Sequence, residues 1–270
     1  MIEVAVEELV HTYPGGVRAL DGVTLRVEAG ESVALVGQNG SGKSTLVRHL
    51  NGLLRPTSGQ VLVGGADASG RRVAELAAQV GLVFQEPDRQ IFAGSVRGEV
   101  EFGPRNVGLR GEALEAAVRA ALEAVGLAGA ESTNPYDLGA SRRKLLAVAS
   151  VLAMGTPVLV LDEPTTGQDR VGVARIRQVV ADARAAGRTV IAVSHDLRFV
   201  ADVFERVVVL RAGRVVLDAA PERAFAAENW ETLRGTGLEP PMAAVIASRL
   251  GLETVATEDA LVAALAARAA

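Results

Sequence analysis

The chain has 270 residues, 49% of them hydrophobic, with 28 basic against 32 acidic side chains and a formal net charge of −4, a size that suits one large α/β domain with additions or two small ones. It contains no cysteine, which excludes disulfides, thiolate metal sites and cysteine nucleophiles, and its three histidines, spread at 11, 49 and 195, argue against a histidine metal cluster. No uninterrupted apolar run reaches the ~18 to 20 residues of a membrane-spanning helix, acidic Glu3, Glu7 and Glu8 stand where a signal peptide would be positive, and arginines interspersed with carboxylates argue against a nucleic-acid partner, so a cytoplasmic chain is expected.

In chain order, strands are predicted at 3–9 and 23–27, with a Tyr13-Pro14-Gly15-Gly16 turn between them. The apolar run Val33-Ala34-Leu35-Val36 passes directly into Gly37-Gln38-Asn39-Gly40-Ser41-Gly42-Lys43-Ser44, and a helical pattern follows over 43–50, with Thr45 in its first turn. Strand, glycine-rich loop and helix are thus written consecutively, at the spacing Gly-x-x-x-x-Gly-Lys-Ser/Thr of a nucleoside triphosphate site. The glycines let backbone N–H groups wrap the phosphates, the helix N-terminus adds its positive dipole end, and the lysine reaches the terminal phosphates. Only Lys43 and Lys144 are lysines, and at this composition a chance match arises in on the order of one in several hundred such sequences.

Asn51-Gly52 supplies a helix stop, Pro56-Thr57-Ser58-Gly59 a turn, and strands are predicted at 60–63 and 80–84, the second ending at Gln85. From 86 to 154 the pattern is helical: Leu114, Val118, Leu122 and Val125 recur at helix spacing and a last helix runs through Leu145 and Leu152, which predicts an inserted helical subdomain at about 86–155. Strand and helix then alternate again, with strands at 157–161 and 189–193, a helix at about 171–186, and a hairpin of 207–210 and 214–217 around Arg211-Ala212-Gly213. Very apolar strands alternating with helices predict a mostly parallel sheet covered on both faces, with ligands at its strand ends. Residues 1–218 are read as one domain and 219–270 as a tail of two or three helical patterns, interrupted by Gly235, Gly237 and Pro240-Pro241.

Val158-Leu159-Val160-Leu161-Asp162-Glu163 is a buried-type strand ending in two carboxylates. Phosphate chemistry needs a magnesium anchor and a base for water; Asp162 with the Ser44 hydroxyl suits the first, and Glu163 the second. The strand at 189–193 delivers Ser194-His195-Asp196 to the same sheet edge, where His195 is placed to contact a γ-phosphate or steady the water. Gln85, also at a strand end, offers an amide oxygen to magnesium or to the attacking water.

Phosphate loop, Gln85, Asp162-Glu163 and His195, in this order and at these spacings, resemble the ATP-binding cassette (ABC) ATPases over about residues 1 to 220. The resemblance implies a P-loop NTPase fold, with a mostly parallel α/β core, an N-terminal antiparallel β subdomain, an inserted helical subdomain and here a C-terminal helical extension. It also implies ATP and Mg²⁺ as ligands, Tyr13 as the aromatic that stacks on adenine, Glu163 as the group that polarises water, and Asp169 in the loop that crosses a dimer interface. Glu86-Pro87-Asp88-Arg89-Gln90-Ile91-Phe92-Ala93 and Phe102-Gly103-Pro104 further look like the ATPase subunits of energy-coupling-factor (ECF) transporters and their cobalt- and nickel-uptake relatives, with which the proline-containing tail agrees. That narrower resemblance implies a peripheral subunit on the cytoplasmic face of the membrane, hydrolysing ATP to power import of vitamins or metal ions. Its partners would be a second cassette ATPase, a transmembrane coupling subunit and a solute-binding membrane subunit.

One segment departs from the family. In sandwiched dimers each ATP lies between one chain's phosphate loop and a Leu-Ser-Gly-Gly-Gln signature from the other, where this chain reads Leu138-Gly139-Ala140-Ser141-Arg142. Gly139 lacks the signature's hydroxyl, and Ala140 and Ser141 add Cβ atoms where the family leaves room. Ser141 or Arg142 stands in only if it donates a hydrogen bond or charge to the partner's nucleotide. An intact phosphate, magnesium and base set beside an altered signature implies a heterodimer with one competent and one slow site; a homodimer, which would make the chain a low-turnover nucleotide switch, stays open, as do the ATPase of another ABC transporter and a soluble ABC ATPase.

Overall fold

The computed structural model describes residues 2–269. The chain opens with β1 (Val4–Thr12), β2 (Arg18–Val27), β3 (Ser32–Val36) and α1 (Lys43–Leu50), followed by β4 (Ser58–Val63), β5 (Ala66–Asp67), α2 (Val73–Ala77) and β6 (Val80–Val83). β1 and β2 run longer than the predicted 3–9 and 23–27. Register shifts along β1, between Val6 and Leu9, Leu9 and Val10, and His11 and Thr12, break its in–out alternation and hide the continuation from a period-2 reading. At the bulge Glu8 itself has φ 47°. Opposite it Gly59 is obligatory, because a Cβ there would meet the Glu8 carbonyl oxygen at 2.2 Å.

Next come three helices, α3 (Val96–Asn106), α4 (Gly111–Ala124) and α5 (Ala140–Leu152). α3 starts at Ser95, whose side chain accepts from the Gly98 amide, and α4 buries the predicted stripe Leu114, Val118 and Leu122. Then follow β7 (Val158–Asp162), α6 (Arg170–Ala185), β8 (Thr189–Val193), α7 (Leu197–Val203), β9 (Arg206–Arg211) and β10 (Arg214–Ala219). Among the described residues the tail contains four α-helices rather than two or three: α8 (Pro221–Ala224), α9 (Trp230–Arg234), α10 (Met242–Arg249) and α11 (Glu258–Ala269).

Two sheets carry these elements. One is antiparallel, in the order β2-β1-β4-β5, and the other has six strands in the order β10-β9-β3-β8-β7-β6. In the second, β9, β3, β8, β7 and β6 are mutually parallel and only β10 turns back. All residues of β3, β6, β7 and β8 are buried, as a parallel sheet covered on both faces requires. One face packs on the antiparallel sheet and α1, joining Val33, Leu35, Val160 and Ile191 to Val6, Leu20 and Leu46. The other packs on α3 to α6, and Phe225, Leu233, Leu238 and Ala244 from the tail belong to that same cluster. Ala256 joins the same cluster, so the tail is docked onto the main core, not appended to it.

Candidate functional site

Parallel strands place four sequence-distant segments at one edge. The carboxyl end of β3 leads into Gly37–Ser44, β8 into Ser194 and His195, β7 into Asp162 and Glu163, and β6 toward Gln85. Backbone bonds from the Ser194 amide to the Leu35 carbonyl (3.1 Å) and from the Glu163 amide to the Val193 carbonyl (2.9 Å) hold these ends in line past the last strand pairs.

The phosphate loop is tight. A Cβ on Gly37 would meet the Leu210 carbonyl oxygen at 2.2 Å and one on Gly42 the Ala19 carbonyl oxygen at 2.6 Å, and both have positive φ. Glycine is thus required at both by close approach as well as by conformation. The Lys43 ammonium donates to the carbonyls of Gly37 (2.7 Å) and Gln38 (3.0 Å) across the loop, and burial pulls its pKa below the usual lysine range against the raising effect of Glu163 and Asp162. Ser41 Oγ is buried without a hydrogen-bond partner, an orphaned donor of the kind a bound phosphate oxygen satisfies.

Ser44 donates to Asp162 Oδ1 at 3.1 Å, joining the two groups expected to flank a magnesium ion. Asp162 is 1% exposed, and burial pushes its carboxyl pKa up, the Ser44 bond and the Arg48 and Lys43 charges opposing. A buried carboxylate with one hydroxyl partner suits a hard cation with oxygen ligands. Glu163 sits beside it with φ 50°, a left-handed conformation that costs a non-glycine residue about 1–3 kcal/mol and occurs at functional sites. Glu163 Oε2 accepts from His195 Nδ1 (2.8 Å) and from Thr166 Oγ1 (3.2 Å). Among the described residues none donates to Oε1.

Tyr13 packs edge-on with the His11 ring at 4.6 Å, and its hydroxyl bonds to Thr45 Oγ1 at 3.1 Å. Tyr13, residues 39–45, Gln85 and Glu163 line one cleft of about 480 Å³. Gln85 also borders a second groove, with Arg48, Leu53, Phe84 and Arg89. The structure thus brings together, within one chain, every site residue expected from the sequence except the segment 139–142.

Gly139 to Arg142 form the start of α5, away from that cleft. Gly139 caps the helix without a side-chain bond. The Ser141 hydroxyl, one of two candidates for a substitute donor, is engaged within its own chain: it bonds to Gln168 Oε1 (3.0 Å) while Gln168 Nε2 donates to the Ser141 carbonyl (3.1 Å). Arg142 remains exposed. Asp169, expected at a dimer interface, caps α6 by accepting from the Gly172 amide at 2.7 Å.

Three features escaped the sequence reading. His11 and His49, which look scattered, meet at 3.2 Å (His49 Nε2 to His11 Nδ1), because β1 lies over α1; no group of three metal-ligating side chains is found among the described residues. Gly237, Leu238 and Glu239 of the tail face Gly37, Gln38 and His195 across a cleft of about 500 Å³. Lys144 reaches the Glu163 backbone from α5, and its being one of two lysines was the only signal available.

Residues 20–166 match the ABC transporter family. An energy-coupling factor transporter ATP-binding protein, EcfA, of Methanocaldococcus jannaschii is 41% identical over 246 residues, covering 90% of this chain and 88% of that protein. Among solved structures, cbiO1 of Clostridium perfringens, described as part of the ABC transporter complex cbiONQ, aligns with a TM-score of 0.75 at 35% identity over 86% of this chain and 92% of its own. A dimeric ATP-binding cassette in a post-hydrolysis state with ADP and Pi aligns with a TM-score of 0.74 at 27% identity, over 80% of this chain and 98% of its own.

Proposed function

The chain belongs to the ABC transporter ATP-binding family, an ATPase subunit that couples hydrolysis to transport, and on that premise we propose that it powers an ECF-type importer of vitamins or transition-metal ions as one half of a heterodimer. The similarity to EcfA and cbiO1 supports the ECF assignment. No helix among the described residues is long and apolar enough to cross a membrane, so a role at the cytoplasmic face calls for a transmembrane coupling subunit and a solute-binding membrane subunit.

The observation that carries the hydrolytic reading is Glu163. Its Oε2 is fixed by His195 and Thr166 while Oε1 is left for water, at the mouth of a phosphate loop with an orphaned hydroxyl. In this reading the loop amides and Lys43 bind the ATP phosphates, Tyr13 stacks on the adenine, and Ser44 and Asp162, with Gln85, hold Mg²⁺. The ion supplies charge neutralisation on the phosphate oxygens when bound. Glu163 orients the attacking water and draws its proton, and His195 keeps the carboxylate aimed. Gly139 to Arg142 face the partner's nucleotide, and with Ser141 tied to Gln168 they supply it poorly, which makes that second site slow.

The test is to purify the chain with its partners from gently solubilised membranes and assay the recovered complex. A second cassette ATPase with an intact signature and a polytopic membrane protein are expected to accompany it. Glu163→Gln should lower ATP turnover by ~10³-fold or more, whereas placing Ser, Gly, Gly and Gln at 139 to 142 should change it less than ~5-fold. Equal effects from the two changes, or recovery of the chain alone, would overturn the asymmetric arrangement.

A further inference from the structure

Lys144 lies in the second turn of α5 and is 4% exposed. Its ammonium is neither in water nor on a carboxylate. It donates to two backbone carbonyl oxygens, those of Glu163 and of Thr166, the latter at 3.3 Å. These carbonyls bracket the turn that presents Glu163, and Thr166 is the residue whose hydroxyl also holds the Glu163 carboxylate. A buried ammonium held by neutral carbonyls is a poor device for stability alone, since an apolar side chain of similar length avoids the cost of desolvating the charge.

What the ammonium does hold is a strained peptide. Glu163 has φ 50°, its amide is fixed on the Val193 carbonyl at 2.9 Å, and the direction of its own carbonyl is set by Lys144. Further polar contacts tie α5 to its surroundings. Ser141, at its start, bonds Gln168, and Ala147 and Ser150, further along, accept from Gln90 Nε2 at 2.9 and 3.0 Å. Gln90 follows the groove that Gln85 borders. One helix therefore touches the 139–142 segment, the backbone of the base and the segment after β6.

We propose that Lys144 is a positioning residue for ATP hydrolysis, whose ammonium clamps the Glu163 and Thr166 carbonyls and thereby fixes the Glu163 carboxylate to α5. The inference rests on the reading of Glu163 as the base. Any displacement of α5, whether felt at 139–142 or through Gln90, then moves the base, while nucleotide binding at Lys43 and Ser44 stays as it was.

The experiment compares Lys144→Met, Lys144→Arg, Glu163→Gln and the double variant Glu163→Gln/Lys144→Met in the purified complex. It measures kcat and KM for ATP, binding of a fluorescent ATP analogue, and thermal unfolding. Lys144→Met should lower kcat by ~100-fold with KM and analogue binding within ~3-fold, and Lys144→Arg should regain at least ~10-fold of that loss. On the Glu163→Gln background Lys144→Met should add less than ~3-fold, because the group it positions is already gone. A kcat for Lys144→Met within ~3-fold of the parent, or a full additional loss on the Glu163→Gln background, would overturn the proposal while leaving Glu163 as the base. High turnover by Glu163→Gln would overturn both. Should Lys144→Met not fold, Lys144→Gln takes its place: a kcat within ~3-fold of the parent overturns the proposal, and a fall of ~10-fold or more at unchanged KM supports it.

Discussion

At the residue scale, the chemistry sits on groups held against their solution preferences. Asp162 is the clearest. A carboxyl whose native pKa lies above its unfolded value binds its proton more tightly when folded, so its unfavourable contribution is absent below the unfolded value near ~4 and is fully present once pH exceeds the native pKa. Asp162→Asn should therefore raise stability without nucleotide or magnesium by about 1 kcal/mol, a rise of roughly 2–4 °C in Tm, at pH 7 to 8, and the gain should shrink as the pH falls toward ~4. The same change should lower ATPase activity by ~100-fold or more, since it removes the anionic oxygen opposite Ser44. Calorimetric scans across pH with parallel activity assays check both, and a variant less stable than the parent at pH 8 would contradict the burial argument. The identities in this part of the site were legible because the motifs are contiguous in the chain. The His11 and His49 contact was not, because it depends on how β1 lies over α1.

At the element scale, legibility follows length and burial. α1 and β8 were read with their observed bounds, 43–50 and 189–193, because Gly42 and Asn51-Gly52 bracket the first and Gly187-Arg188 and Ser194-His195 the second. α2 and α7, of five and seven residues, are too short to show a helical period and were not read. The start of α5 was readable as a departure from the family but not as a contact. Gln168 in the loop before α6 turns back onto Ser141, 27 residues away. Two polar residues distant in sequence thus match each other: Ser141 and Gln168 exchange a hydrogen-bond pair. Ser141→Ala and Gln168→Leu should each cost about 0.5–1.5 kcal/mol of stability, and the double variant less than their sum by a coupling of roughly 0.5–1 kcal/mol. A urea-unfolding double-mutant cycle measures this, and strict additivity would mean that the two side chains do not meet in solution.

At the scale of the whole molecule, the parallel sheet gathers the residues proposed to bind ATP at one edge, while the segment after β6 and the helices α3 to α5 present a different surface. Phe92 and Phe102 stack edge-to-face at 4.7 Å although they are 60% and 50% exposed, and Tyr136 beside them is also exposed, its hydroxyl donating to the Ile91 carbonyl at 3.1 Å. Paired exposed aromatics are suited to receive an apolar partner segment. The charges of the same stretch are less clean probes, because Asp88 pairs with Arg143 of α5 at 3.3 Å and reversing it would disturb the helix that holds Lys144. Phe92 is free of that complication. In reconstituted vesicles Phe92→Asp should lower solute uptake by ~10-fold or more while ATP hydrolysis stays within ~2-fold of the parent, because the partner is lost and the site at Glu163 is not. Equal falls in uptake and hydrolysis would place Phe92 in the integrity of the helical segment instead, and unchanged uptake would move the docking surface elsewhere on the chain.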